Sequence, residues 1–153
     1  MRFIVESAGK LASRVRIGTH DLVFDQPRSV KGGEDWGPSP LDVLVASVAA
    51  CAHYFAAAFL QGRGLSTAGL AVEVDAAKES LPSPRIGRLT MKVRVPEGLS
   101  EPQLIGIARA IKRCPAYGTL VNSPAIELSV ELVRQAGADA PPEAMARVGQ
   151  GGQ

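Results

Sequence analysis

Two cysteines are the residues of this chain whose types and spacing are most informative. Cys51 lies within an apolar run from Leu41 to Leu60, and Cys114 directly precedes Pro115. A cysteine thiolate is a nucleophile that oxidants convert to sulfenic acid or disulfide. Two cysteines far apart in sequence form a reversible disulfide if the fold brings them together. The surroundings of the two sulfur atoms therefore decide what the protein does.

The surroundings of Cys51 on its predicted helix are apolar. Such surroundings raise the pKa of a thiol, and by themselves they make Cys51 a small hydrophobic residue of the core. A reactive Cys51 needs a cation from elsewhere in the fold to hold its thiolate. Arginine suits this role because it stays charged when buried. The candidates on the second predicted strand are Arg14 and Arg16.

The surroundings of Cys114 predict a more acidic thiol. It follows Lys112 and Arg113, and Pro115 is expected to begin a short helix directly after it. Free backbone N–H groups at that helix start would point at the sulfur and, with the two cations, favour its thiolate. From helix neighbours, Cys114 is thus the more acidic of the two cysteines.

Composition and the remaining motifs argue against several classes of protein. The net charge is +2 without a basic tract, so we expect no nucleic-acid partner. No glycine-rich phosphate loop and no serine nucleophile elbow is present. His20 and His53 are too few and too scattered, with the two cysteines, for a zinc site of known spacing. We therefore expect no metal.

The N-terminal ten residues contain no long apolar segment, so we expect no secretory signal and a cytoplasmic location. In that compartment redox or catalytic cysteines are commoner than structural disulfides. Residues 41–60 have the length of a membrane span. Asp42, Ser47 and His53, the many alanines and the lack of a basic N-terminal flank favour a buried core helix instead, without a membrane.

The order of predicted elements is typical of an α+β fold. Three strands precede a long helix that Ser39 caps, and two strands, a helix, a short helix and a last strand follow. These elements are predicted at residues 2–7, 11–17, 19–24, 41–60, 70–76, 88–95, from 100 onward, 115–120 and 126–132. Residues 1–134 are expected to form one domain, and residues 135–153 a flexible C-terminal tail without periodicity.

The long helix is apolar on every side around Cys51. One sheet covers a single face of a helix, so a monomer would leave much of this one in water. A second copy of the chain is the simplest cover, which predicts a homodimer.

Three stretches of the sequence resemble the OsmC/Ohr family of osmotically inducible and organic-hydroperoxide-resistance proteins. They are residues 32–44 (GGEDWGPSPLDVL), 49–51 (AAC) and 111–120 (IKRCPAYGTL). The predicted order of elements agrees with that family from about residue 2 to residue 133. The resemblance implies an OsmC-like fold, an intertwined homodimer with antiparallel sheets wrapped around two long central helices.

The resemblance also implies a thiol-dependent peroxidase that reduces organic hydroperoxides without a metal or an organic cofactor. The peroxidatic cysteine, here Cys51, attacks the peroxide and becomes a sulfenic acid, and the resolving cysteine, here Cys114, converts it to a disulfide. A dithiol reductant, in family members often a lipoyl group, restores both thiols. On the order of attack we follow the resemblance, since an arginine at a dimer interface reverses an acidity judged from helix neighbours.

The sequence departs from the family at Leu41, where peroxidases of this family carry a glutamate that orients the arginine. Asp42 is one residue further on, which turns a side chain by about 100° around the helix. Glu34 in the preceding loop is the other candidate carboxylate. This departure leaves two alternative functions open. One is a non-catalytic dimer that binds a small apolar ligand beside Cys51, and the other is a thiol redox sensor.

Overall fold

The computed structural model describes residues 1–80 and 83–132. It confirms the predicted α+β order of elements from the first strand to the short helix. The elements are β1 (Val5–Gly9), β2 (Ala12–Ile17), β3 (His20–Phe24), α1 (Pro40–Gln61), β4 (Ala71–Glu79), β5 (Arg85–Arg94), α2 (Glu101–Ile111) and α3 (Pro115–Val121). Residues 1–122 form one compact unit.

The predicted last strand over residues 126–132 is wrong for this structure. Residues 123–132 contain no helix or strand. A strand is defined by a neighbour that pairs with its backbone N–H and C=O groups, and alternating apolar residues do not supply one. Four large apolar side chains of the segment are exposed, namely Ile126, Leu128, Val130 and Leu132. The predicted domain end at residue 134 and the tail 135–153 lie outside the described residues.

The first three strands form one antiparallel sheet in the order β1-β2-β3. The β1–β2 turn uses Gly9 and Lys10, whose φ angles are 107° and 49°. The central strand β2 buries Ala12 and Val15. It pairs Arg14 with Glu6 on one side and Val23 on the other. The predicted strands are confirmed, with their ends shifted by a few residues.

The loop between β3 and α1 is held by a buried carboxylate. Asp25 accepts hydrogen bonds from the backbone N–H groups of Gln26, Glu34 and Trp36 at 2.7, 3.0 and 3.2 Å. Its own N–H donates to the Pro38 carbonyl at 3.3 Å and closes the loop. Desolvation opposes ionisation of Asp25, but the three backbone donors outweigh it and lower its pKa. The loop leading into α1 is therefore ordered by one side chain.

The start of α1 agrees with the predicted cap. Ser39 has an extended backbone (φ −66°, ψ 146°), and its hydroxyl accepts the N–H of Asp42 at 3.2 Å. Pro40 takes the first helical position, where a missing N–H costs nothing. The helix ends after Gln61, and Gly64 with φ 67° turns the chain away.

One face of α1 belongs to the core of residues 1–122. Its buried residues recur every fourth position, at Val48, Ala52, Ala56 and Leu60. This face packs against α2, α3 and β4, which itself pairs antiparallel with β5. On α2, a Cβ at Gly106 would lie 2.3 Å from the Phe59 ring, so glycine lets the two helices approach closely.

The other face of α1 is open to solvent within the chain. Its large side chain Tyr54 is 66% exposed. The helix is long and apolar enough to cross a membrane by length and composition, with a mean hydropathy of 2.0 over 18 residues, of which 22% are buried in this chain. Helices in the core of soluble proteins reach the same length and hydropathy. The sequence predicted an apolar surface all round, and one chain buries a single face of it.

Candidate redox-active cysteine site

The structure joins Cys51 and Cys114 in a disulfide, although 63 positions separate them. Their Cα atoms are 6.1 Å apart, within the range of about 4.4–6.8 Å usual for disulfides. Cys51 lies in the middle of α1, and Cys114 lies in the junction between α2 and α3. Packing of both helices against α1 is what brings the two cysteines together.

The α2–α3 junction buries Cys114, which is 1% exposed. Its N–H donates to the Ile111 carbonyl at 2.9 Å, and so closes the end of α2. Cys114 is also the N-cap of α3, and its Sγ accepts the backbone N–H of Tyr117 at 3.5 Å. The sequence predicted both the helix start at Pro115 and an N–H directed at this sulfur. The structure has both.

Cys51 lies at the border between the two faces of α1 and is half-buried. Its neighbours toward the core, Val48 and Ala52, are buried. Its neighbours one turn away on the open face, Ser47 and Tyr54, are exposed. The disulfide therefore has one half in the core and one half at an accessible helix surface.

The two candidate arginines differ in their contacts. Arg16 makes a paired contact with Asp21, with Nε–Oδ1 and Nη2–Oδ2 distances of 3.0 Å each. This hydrogen-bonded pair raises the pKa of Arg16 and lowers that of Asp21. Arg14 is exposed, and among the described residues its side chain has no ion pair or hydrogen bond. Within one chain, neither guanidinium is hydrogen-bonded to Cys51 in the described part.

The two candidate carboxylates are both engaged elsewhere. Asp42 accepts the Ser39 hydroxyl at 2.7 Å, at the start of α1. Glu34 forms an ion pair with Lys10. Leu41, at the family's glutamate position, is 36% exposed. The structure thus brings the two cysteines together, but among the described residues no hydrogen bond joins a candidate arginine or carboxylate to them.

Sequence reasoning missed Asp25, which orders the loop carrying Glu34. The signal for it was weak: one acidic residue at the end of a strand, before a segment rich in proline and glycine. Among residues 1–80 and 83–132, no group of three or more histidine, cysteine, aspartate or glutamate side chains is placed to hold a metal ion. The described site consists of the Cys51–Cys114 pair and the backbone hydrogen bonds at Cys114.

The order of elements and the paired cysteines define a class of α+β proteins with a cysteine on a long central helix. The sequence profile described as OsmC-like protein matches residues 32–129. This match covers both cysteines and most of the described chain. The chain belongs to the OsmC family, as its sequence motifs indicated.

Solved structures agree on the fold. An OsmC-like protein from Mycoplasma pneumoniae is 21% identical, with a TM-score of 0.61 over 80% of this chain and 87% of its own. A Legionella pneumophila organic hydroperoxide resistance protein OsmC is 18% identical, with a TM-score of 0.58 over 78% and 89% of the two chains. A Psychrobacter arcticus 273-4 structure, named for osmotic stress induction and detoxification response, is 18% identical, with a TM-score of 0.66 over 76% and 85%. No curated protein matches the sequence significantly.

Proposed function

We propose that this protein is a thiol-dependent peroxidase that reduces organic hydroperoxides in oxidative-stress defence. The observation that carries the proposal is the contact between the half-accessible Cys51 and the buried Cys114. A peroxidase of this kind needs one sulfur that a hydroperoxide reaches and a second sulfur beside it. Family membership and the Legionella pneumophila relative's name support the same reading.

The proposed cycle begins from the two reduced thiols. The Cys51 thiolate attacks a peroxide oxygen, the O–O bond breaks, and an alcohol leaves after taking up a proton. Cys51 is now a sulfenic acid, and the Cys114 thiolate attacks its sulfur to form the disulfide and release water. A dithiol reductant, with a lipoyl group as one example, then supplies two electrons and regenerates both thiols.

We further propose that the working form is a homodimer in which a second copy covers the open face of α1. This face carries Tyr54, and burying one large apolar side chain fully contributes about 1.5–3 kcal/mol. Arg14 is the better candidate for holding the Cys51 thiolate, because Asp21 already binds Arg16. A partner chain is the element that would bring this arginine to the cysteine.

The orienting carboxylate has two remaining candidates, each of which must give up a contact. Asp42 would release the Ser39 hydroxyl, and Glu34 would release Lys10. Both contacts are exposed, and exposed pairs contribute little to stability, so either exchange is inexpensive.

An apolar depression is the feature to compare with the alternative of a ligand-binding protein. It lies between β5 and α2 and has a volume of about 210 Å³. Its lining residues are Val93, Val95, Leu104, Ile107, Ala108 and Ile111. Ligand sites for drug-sized molecules usually enclose about 300–1,000 Å³. The depression is smaller than these, and neither cysteine lines it, so the peroxidase proposal has the stronger support.

Two serine variants test the proposal. Cys51→Ser is expected to abolish consumption of an alkyl hydroperoxide, because no sulfur remains at the accessible position. Cys114→Ser should consume one equivalent of hydroperoxide and then stop, because its sulfenic acid finds no resolving thiol. Peroxide loss is followed with an added dithiol for the parent and Cys51→Ser, and without any added thiol for Cys114→Ser, because an added thiol would itself reduce the sulfenic acid. A Cys51→Ser protein as fast as the parent would overturn the peroxidase assignment.

A further inference from the structure

We infer that Glu6 on β1 is a positioning residue, which orients the guanidinium of Arg14 toward the Cys51 thiolate. The inference deepens the proposed function and rests on it for the place of Arg14 beside Cys51 in the dimer. Glu6 is a further carboxylate, besides Asp42 and Glu34, and sequence reasoning did not single it out. The register of the first sheet carries the inference.

The pairing of β1 with β2 places Glu6 directly opposite Arg14. Side chains that are directly opposite in an antiparallel pair share one face of the sheet, with their Cβ atoms about 4.5–5.5 Å apart. Within residues 1–80 and 83–132 neither of these two side chains is part of an ion pair. A change of side-chain rotamers, without any movement of the backbone, therefore brings the carboxylate of Glu6 to the guanidinium of Arg14.

The other carboxylate near Arg14 is already engaged. Val23 is the β3 residue opposite Arg14, whereas Asp21 is opposite Arg16. Both carboxylate oxygens of Asp21 accept hydrogen bonds from Arg16, at 3.0 Å each. These hydrogen bonds lower the pKa of Asp21, and the charge of Arg14, which is diagonal to it across the strands, adds a smaller lowering. Asp21 thus serves Arg16, and Glu6 is the carboxylate of this sheet left for Arg14.

The carboxylates that the sequence pointed to are less well placed for this role. Asp42 and Glu34 are each bound to another side chain and must release it before they can hold an arginine. An arginine side chain has many rotamers, and a carboxylate that fixes its guanidinium beforehand reduces the entropy lost when it meets a thiolate. Glu6 supplies this fixation from the neighbouring strand, and no described contact is lost.

The direction of the effect on Cys51 distinguishes positioning from the plain effect of a charge. A guanidinium beside a thiolate lowers the pKa of the thiol, and a nearby carboxylate raises it. If Glu6 acted on Cys51 through its negative charge alone, Glu6→Gln would make the thiol more acidic. If Glu6 positions Arg14, the same substitution makes the thiol less acidic, because the guanidinium is no longer held in place.

Titration of the Cys51 thiol in Cys114→Ser protein tests the inference. Cys51 is then the only cysteine, and the ultraviolet absorbance of its thiolate reports ionisation without a reagent that must reach the sulfur. Glu6→Gln is expected to raise the titration midpoint by about 0.5–1 pH unit, through partial loss of a charge-assisted hydrogen bond. The matched control is Glu73→Gln on β4, which removes a carboxylate paired with Arg94 and should leave the midpoint in place. A midpoint that stays or falls in Glu6→Gln would overturn the inference.

An Arg14→Gln background shows whether Glu6 acts through Arg14. Arg14→Gln alone should raise the midpoint at least as much as Glu6→Gln does, and the double variant should show no further rise. A further rise of the same size, or a midpoint unmoved by Arg14→Gln, would contradict the positioning role. The titration uses no hydroperoxide, so its outcome and that of the hydroperoxide assay are separate, and the two proposals fail independently.

Discussion

The two faces of α1 have similar composition but different surroundings. The inner face, with Val48, Ala52, Ala56 and Leu60, is buried under elements of the same chain. The outer face carries Tyr54, which is 66% exposed among the described residues of one chain. Cys51 lies where the two faces meet. The sequence thus encodes more apolar helix surface than one chain buries, and the candidate reactive sulfur lies at the edge of the uncovered part.

The largest effect is expected where α2 packs against the inner side of α1. In Gly106→Ala the new methyl group would meet the Phe59 ring at 2.3 Å, so α1 and α2 must move apart. Overpacking of this kind costs about 1–3 kcal/mol of unfolding free energy. Gly118→Ala on α3 is the control, because nothing lies within 4 Å of its new methyl group. Urea denaturation measures the unfolding free energy of both variants. Equal unfolding midpoints for Gly106→Ala and Gly118→Ala would show that α1 and α2 pack less closely than described.

A change on the outer face should weaken association instead. Tyr54→Ser removes a large side chain from the face that we propose a second copy covers, at a cost of about 1 kcal/mol per chain. The dissociation constant of the dimer should therefore rise roughly tenfold or more, as measured by light scattering over a dilution series. Leu22→Ser, at a 39% exposed leucine of β3, is the control. A parent protein that is a stable monomer at micromolar concentration would refute the dimer.

A smaller, pH-dependent effect is expected at the loop that leads into α1. The folded state lowers the pKa of Asp25, so its carboxylate stabilises the fold above the unfolded pKa of about 3.9. That contribution is lost as the pH falls through the lower folded pKa. Asp25→Asn should lose stability at neutral pH and show a flatter profile below about pH 4. Asp75→Asn, at an exposed position of β4, is the control. If the unfolding free energies of Asp25→Asn and the parent changed with pH in parallel, the proposed role of this carboxylate would be contradicted.

The parts of the fold that local rules determine were predictable from the sequence. The Ser39 cap and Pro40 located the start of α1, and Pro115 located α3 directly after Cys114. The resemblance implied the pairing of Cys51 with Cys114, and the structure brings them together. These features depend on neighbours within a few residues or on a family pattern that spans the chain.

Other parts depended on contacts that local patterns do not specify. The strand predicted over residues 126–132 lacks a pairing neighbour, which alternation of apolar residues cannot reveal. Asp25 and its three backbone donors come together only when the whole loop closes. The choice between Arg14 and Arg16 also depended on the fold, because it is the β2–β3 register that places Asp21 opposite Arg16.

The reaction of the reduced protein with one equivalent of an alkyl hydroperoxide tests the central claim most directly. Intact-mass spectrometry before and after mixing, followed by peptide mapping, reports which sulfur is oxidised. The account predicts the loss of two hydrogens, a Cys51–Cys114 disulfide and one equivalent of the alcohol. Unchanged thiols with intact hydroperoxide, or oxidation that begins at Cys114 in the Cys51→Ser protein at the parent's rate, would contradict it.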